Sequence, residues 1–192
     1  MVRIHLADGS FFMLHAEVFA TEGISVGVRL DEARRASLEG RSELVLARDA
    51  ALRLLSRAAQ TRKGLSQKLR TRGFSREATD SAVNRMIELG YLDDRAFAES
   101  WTRFRLSSRL EGWKSLYRGL LRGGVPRDIA EKVLEEVCTD EVELERARRL
   151  AQGVPPRKAV SKLTSRGFRS RVIARILSEM KREARQDPEA QS

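Results

Sequence analysis

One short pattern recurs along the chain and limits what it can fold into. Lys68-Leu-Arg-Thr-Arg-Gly-Phe74 returns almost unchanged as Lys162-Leu-Thr-Ser-Arg-Gly-Phe168, and a weaker copy, Gly119-Leu-Leu-Arg-Gly-Gly-Val125, lies between them. The glycines fall at 73, 124 and 167, separations of 51 and 43 residues. Self-similarity at such a period marks a repeat architecture, whose usual use is an extended binding surface instead of a catalytic pocket.

The pattern has a structural cause. Each glycine suits the left-handed position just past a helix end, where a Cβ would clash. The next residue (Phe74, Val125, Phe168) and the leucine four before the glycine (Leu69, Leu120, Leu163) then stand where a Schellman corner makes its apolar contact. The recurrence therefore predicts three equivalent corners and, taken alone, no function. Apolar positions after each corner continue the core: Ala78, Val83 and Met86; Ile129, Leu134 and Val137; Val172, Leu177 and Met180.

Around these corners the periodicity is helical. Repeat one has a helix carrying Leu44, Ala47, Ala51, Leu54, Leu55 and Ala58, then helices near 65–72 and 76–89. Repeat two has Phe97, Trp101 and Phe104 on one expected core face, then helices over 113–122 and 127–137. Repeat three has helices over 142–151, 157–166 and 170–182. Before them, 2–6 alternate, Asp8-Gly9 supplies a tight turn and 10–14 resume an apolar run, which reads as a β-hairpin; 16–22 read as a short helix, 26–30 as a third strand, and Asp31 as the cap of a helix over 32–38 closed near Gly40. The expected fold is mainly α: a tandem array of three three-helix repeats (44–90, 91–139, 140–185) preceded by a small N-terminal α+β module over 1–43. A disordered tail is expected over 186–192.

Composition narrows the function classes. The net charge of +10 is uneven, with an acidic balance in the first 49 residues and basic balances beyond. A basic array favours polyanionic partners such as nucleic acid, although the same charge also serves solubility. No apolar run is long enough to span a membrane, and no secretory segment opens the chain, so a cytoplasmic protein is expected. Cys138 is the single cysteine, which leaves no internal disulfide or multi-cysteine zinc site. His5 and His15 are read as strand residues, Asp93-Asp94 as a helix cap, and Arg122-Gly-Gly-Val125 lacks the spacing of a phosphate loop. No enzyme, cofactor or metal is expected.

The cations are better organised. On the second helix of repeat two Lys114, Arg118 and Arg122 stand at i, i+4 and i+8, and in repeat three Lys158, Lys162 and Arg166 do the same. Lys68 and Arg72 continue the pattern in repeat one, with Arg62 and Lys63 upstream. Like charges at this spacing repel by a few tenths of a kcal/mol per pair, so the repetition argues for a neutralising ligand; the alternative is a solvated helix face. Aligned on the glycines, repeat two carries Gly119 where its neighbours carry Lys68 and Lys162, which displaces its stripe by about 100° around the helix. Trp113 and Tyr117 flank that stripe and suit either core packing or a role as anchors for a protein or a base. The third helices mix acids with arginines, which disfavours reading of duplex DNA in a major groove.

These residues resemble a known family. Ala51-Leu-Arg-Leu-Leu55, Arg72-Gly-Phe74, Gly112-Trp113, Gly124-Val125, the hairpin and above all Gly90-Tyr-Leu-Asp-Asp94 followed by Phe97-Ala98 are similar to the RecX family of bacterial regulators, over essentially the whole chain. The resemblance implies tandem three-helix repeats that bind the filament of RecA on single-stranded DNA and restrain its recombinase, ATPase and co-protease activities. It implies a role in recombination and SOS control; a monomer is expected. Gly119 and Gly123 depart from the polar or charged residues usual there.

Overall fold

A computed structural model describes residues 1–186, which form two compact units, 1–93 and 94–186. In the first, strands β1 (Val2–His5) and β2 (Phe11–Leu14) pair antiparallel, with Val2 opposite Leu14 and His5 opposite Phe11. The turn is held by Asp8, whose carboxylate accepts from the Ser10 amide at 2.9 Å. One sheet face buries Phe12 and Leu14 against Val18 of α1 (Ala16–Glu22) and Leu38 of α2 (Glu32–Leu55).

Three local expectations change here. Residues 26–30 form no strand: Gly27 takes φ +88°, which breaks the extended geometry, and Val26 and Val28 stand in solvent. Asp31 caps as expected, accepting from the Arg34 amide at 2.7 Å, but α2 runs unbroken through Gly40. An interior glycine costs about 1 kcal/mol, less than the burial of Leu38, Ala47 and Ala51 on either side returns. The N-terminal module and the first repeat therefore share one helix. His15 is a helix cap instead of a strand residue, its Nδ1 accepting from the Glu17 amide at 3.2 Å.

Helix α2 packs with α3 (Arg62–Thr71) and α4 (Arg76–Glu88) around Leu65, Leu69, Ala82 and Met86. In the second unit α5 (Asp94–Ser108), α6 (Trp113–Arg122) and α7 (Arg127–Val137) enclose Ala98, Leu116, Leu120 and Leu134. Helices α8 (Asp140–Ala151), α9 (Pro156–Ser165) and α10 (Ser170–Gln186) enclose Leu150, Leu163, Phe168 and Ile176. The fold is mainly α, with three-helix repeats behind a two-stranded hairpin. The tail expected from 186 lies outside the described residues, apart from Gln186, which closes α10.

The three corners form as the repeat implied. Gly73, Gly124 and Gly167 take φ +90°, +90° and +78°. Phe74, Val125 and Phe168 donate their amides to the carbonyls of Leu69, Leu120 and Leu163 at 3.4, 3.1 and 3.1 Å. The glycine amides bond at 3.0–3.1 Å to the next carbonyl along, which completes the Schellman pattern.

On α5 the expected core face shifts. Phe97 and Trp101 pack half-buried against the repeat, but Phe104 is 67% exposed. The inward stripe is Asp94, Ala98 and Thr102, and Phe104 lies about 120° around the helix from Ala98. Trp101 explains Gly119: a Cβ on that glycine would stand 2.3 Å from the indole ring. The ring lies against bare α6 backbone, so no cation fits where repeats one and three carry Lys68 and Lys162.

Candidate nucleic-acid and partner interface

The start of α6 and the corner after α9 meet main chain to main chain. Gly112 donates its amide to the Arg166 carbonyl at 3.0 Å, and Lys114 donates to the Gly167 carbonyl at 2.9 Å. Neither glycine has room for a side chain: a Cβ on Gly112 would meet the Phe168 backbone at 2.3 Å, and one on Gly167 would meet the Ser115 nitrogen at 2.5 Å. The carbonyl end of one helix thus satisfies the amide end of another, with opposite partial charges in contact.

Glu143 completes this joint from α8. It is fully buried, and its Oε1 accepts from the Trp113 amide at 3.0 Å and the Arg169 amide at 2.9 Å. Its Oε2 pairs with the Arg169 guanidinium, which also reaches Asp140 at 2.7 Å and lies 5.8 Å over the Trp113 ring. Nearby, Arg146 donates to the carbonyls of Leu106 and Arg109 at the end of α5, and burial holds its pKa below the usual arginine value. Arg105 pairs with the buried Glu111 at 2.5 Å. The sequence flagged none of these acids as a fastener: Asp140 and Glu143 look like any other carboxylate in a helix's first turn, and Glu111 stands in the break before α6.

The joint positions the basic stripes. Lys114, Arg118 and Arg122 on α6 are exposed, and the Arg118 Nε donates to the Lys114 carbonyl at 3.2 Å. Lys114, Tyr117 and Arg118 line one groove with Thr164, Gly167 and Ser170 of repeat three. Lys158, Lys162 and Arg166 are exposed on α9 and its cap, outside the lining of that groove. Trp113 and Tyr117 stack with centroids 4.9 Å apart, both half-buried on the repeat-two core. Tyr117 donates to Glu131 at 2.9 Å, and that bond holds its hydroxyl pKa above the ordinary value.

In the first unit Arg62, Lys63, Lys68 and Arg72 are exposed along α3. Lys68 donates to the Gln60 side chain at 2.7 Å, and Arg72 reaches back to the Lys68 carbonyl at 3.2 Å. Sequence reasoning missed two further cations: Arg53 and Arg57, from the end of α2, line a hollow with Arg72 and Phe74. Their i, i+4 spacing was the available signal. Among the described residues no helix is long and apolar enough to cross a membrane, and no three metal-ligating side chains converge.

Fold and surface together define a helical-repeat protein whose organised features are exposed cations on the second helix of each repeat. Known proteins agree. Residues 47–86 match the RecX first three-helix domain and residues 93–134 the RecX second three-helix domain. A regulatory protein RecX of Caldanaerobacter subterraneus subsp. tengcongensis is 34% identical over 146 residues, covering 76% of this chain and 74% of that one. That of Trichlorobacter lovleyi is 36% identical over 140 residues, covering 66% and 90%. A crystal structure of a regulatory protein RecX superposes with a TM-score of 0.72 at 25% identity, covering 91% of this chain and 92% of that one. The RecX of Lactobacillus salivarius gives a TM-score of 0.66 at 27% identity, covering 72% and 97%. The chain belongs to the RecX family, and a regulatory role follows from its relatives.

Proposed function

We propose that this chain is a non-enzymatic, cytoplasmic modulator that binds the RecA–single-stranded DNA filament and restrains its recombinase, ATPase and co-protease activities. Membership in a family of regulatory proteins carries the reading, and the exposed cations of α3, α6 and α9 support it. Lys68 and Arg72, Lys114, Arg118 and Arg122, and Lys158, Lys162 and Arg166 face DNA phosphate or acidic protein surface, with Arg62 and Lys63 beside them. Trp113 and Tyr117 give the middle repeat a preformed aromatic shelf, although their half-burial on the core leaves only their outer edges for a partner.

The test compares binding to naked single-stranded DNA with binding to RecA-coated DNA across a salt series. Tighter binding to the coated strand is expected. Equal affinity with steep salt slopes on both substrates refutes the modulator reading and leaves a non-specific nucleic-acid-binding protein. Charge reversal of Lys158, Lys162 and Arg166 is expected to weaken inhibition of RecA ATPase; full inhibition by the variant makes that stripe a solvated face.

A further inference from the structure

We infer that the hollow between the end of α2 and the corner after α3 is a phosphate-binding site for single-stranded nucleic acid, with Arg53, Arg57 and Arg72 as its donors. This deepens the proposed function by adding a direct strand contact in the first unit; it rests on that reading only for where the strand comes from.

Six residues line the hollow: Ala50, Arg53, Leu54, Arg57, Arg72 and Phe74. Three are arginines and none is acidic. Elsewhere in this unit six arginines find carboxylates: Arg34 and Arg41 pair with Glu22, Arg35 with Glu39, Arg48 with Glu17, Arg76 with Asp80 and Arg85 with Glu88. Among the described residues Arg53, Arg57 and Arg72 make no ion pair. Three guanidinium groups without a carboxylate partner are thus gathered around one concavity.

Helix ends account for part of this. Cations are favourable at the carbonyl end of α2, and Arg72 caps α3 through the Lys68 carbonyl. The last carbonyls of α2 are, however, already served by backbone, with Ser56 bonded to Leu52 and both Arg57 and Ala58 to Leu54. The side chains of Arg53 and Arg57 are therefore unspent. A guanidinium fork matches two phosphate oxygens at once, and three forks around one hollow suit a diester backbone better than a lone carboxylate.

Phe74 decides the class of anion. It is half-buried, clamped as the residue after Gly73, and forms the apolar wall of the hollow. A nucleotide brings a sugar and a base face to such a wall beside its phosphate, and base–aromatic contact tolerates any sequence. A purely acidic chain such as polyglutamate brings no flat ring to it.

The experiment uses the full chain and fluorescein-labelled oligothymidylate with no partner protein, read by anisotropy across a salt series. Arg53→Gln/Arg57→Gln/Arg72→Gln keeps the apolar stems and removes the charge. Affinity is expected to fall at least tenfold, and the log–log salt slope by ~0.7 for each phosphate that is no longer neutralised. Phe74→Leu keeps the corner's apolar clamp and is expected to lose several-fold in affinity at unchanged slope. Unchanged affinity and slope in the arginine variant overturn the site. Displacement of the oligonucleotide by polyglutamate at equal charge concentration overturns the nucleic-acid assignment in favour of an acidic protein surface. Should the triple variant misfold, Arg57→Gln alone, at an exposed position, carries the same test with the slope of a single phosphate. Because no RecA is present, failure here leaves the filament reading standing, and a chain indifferent to RecA can still bind the oligonucleotide through this hollow.

Discussion

Replacing Glu143 by alanine removes the acceptor for two buried amides and one guanidinium in a single step. Breaking a buried ion pair from one side costs about 3–5 kcal/mol; Arg169 keeps Asp140 as a partner, but two amides lose their acceptor as well. Glutamine separates the contributions. Its carbonyl oxygen can take the place of Oε1 and keep both amide bonds, at 3.0 and 2.9 Å, while its NH2 group faces the Arg169 guanidinium. Only the charged bond is lost, and about 2 kcal/mol is expected. Both tryptophans, Trp101 and Trp113, lie in the second unit, so their fluorescence during urea titration reports on that unit alone. With a slope of about 2 kcal/mol/M, the midpoint should fall by about 2 M for Glu143→Ala and about 1 M for Glu143→Gln. Amide exchange should show Trp113 and Arg169 unprotected in the first variant and protected in the second. A midpoint shift under about 0.5 M for Glu143→Ala, or equal shifts for the two variants, refutes the assignment of Glu143 as the fastener of the joint.

Gly73→Ala and Gly167→Ala both force alanine into a left-handed conformation, at about 1–2 kcal/mol, but only the second drives a Cβ to 2.5 Å from the Ser115 nitrogen. Chemical denaturation should rank Gly167→Ala as the more damaging, and equal costs would mean that the α6–α9 joint gives way freely. Gly119→Lys places in repeat two the residue its neighbours carry; it should displace Trp101, shift its emission to the red and destabilise the unit, whereas a stable variant with native emission contradicts the packing of that ring on bare backbone. The Cys138 thiol is pushed up to about 12 by burial, with the Glu143 charge adding to it. In the native protein it should resist thiol reagents at pH 8 and react on unfolding. Its contribution to stability is complete below the unfolded thiol pKa and is lost as pH rises toward 12, and labelling at the rate of a free cysteine would exclude this environment.

The corners were legible because a Schellman turn is encoded locally: one glycine and two apolar residues at fixed offsets suffice, as at Leu69, Gly73 and Phe74. Helices α6 and α7 could be read to the residue for the same reason, since Gly112, Gly123 and Pro126 mark three of their four ends. The run at 26–30 misled because alternation alone does not supply a neighbouring strand to bond with. Gly40 misled because a helix tolerates one glycine when residues on both sides are buried. Phe104 carried the right spacing from Trp101 but stood at the edge of a stripe whose centre is made of small residues, which carry little signal. The cation stripes were visible as spacings. Their grouping was not: the pairing of Lys114 with Thr164 and Ser170, and of Arg72 with Arg53 and Arg57, depends on the meeting of distant segments that no local rule records.

The α6–α9 joint alters how the second unit can come apart. In a solenoid the strength of the contact between neighbouring repeats decides whether a terminal repeat can fray while the rest survives. Here a late segment bonds through its peptide groups to the start of an early helix, and a buried acid from α8 grips both. Cutting the chain between the two repeats would strand the Gly112, Trp113 and Lys114 amides on one piece and their carbonyl and carboxylate acceptors on the other. The unit is closed like a clasp, and evolution can restyle its outer cations freely without loosening the catch.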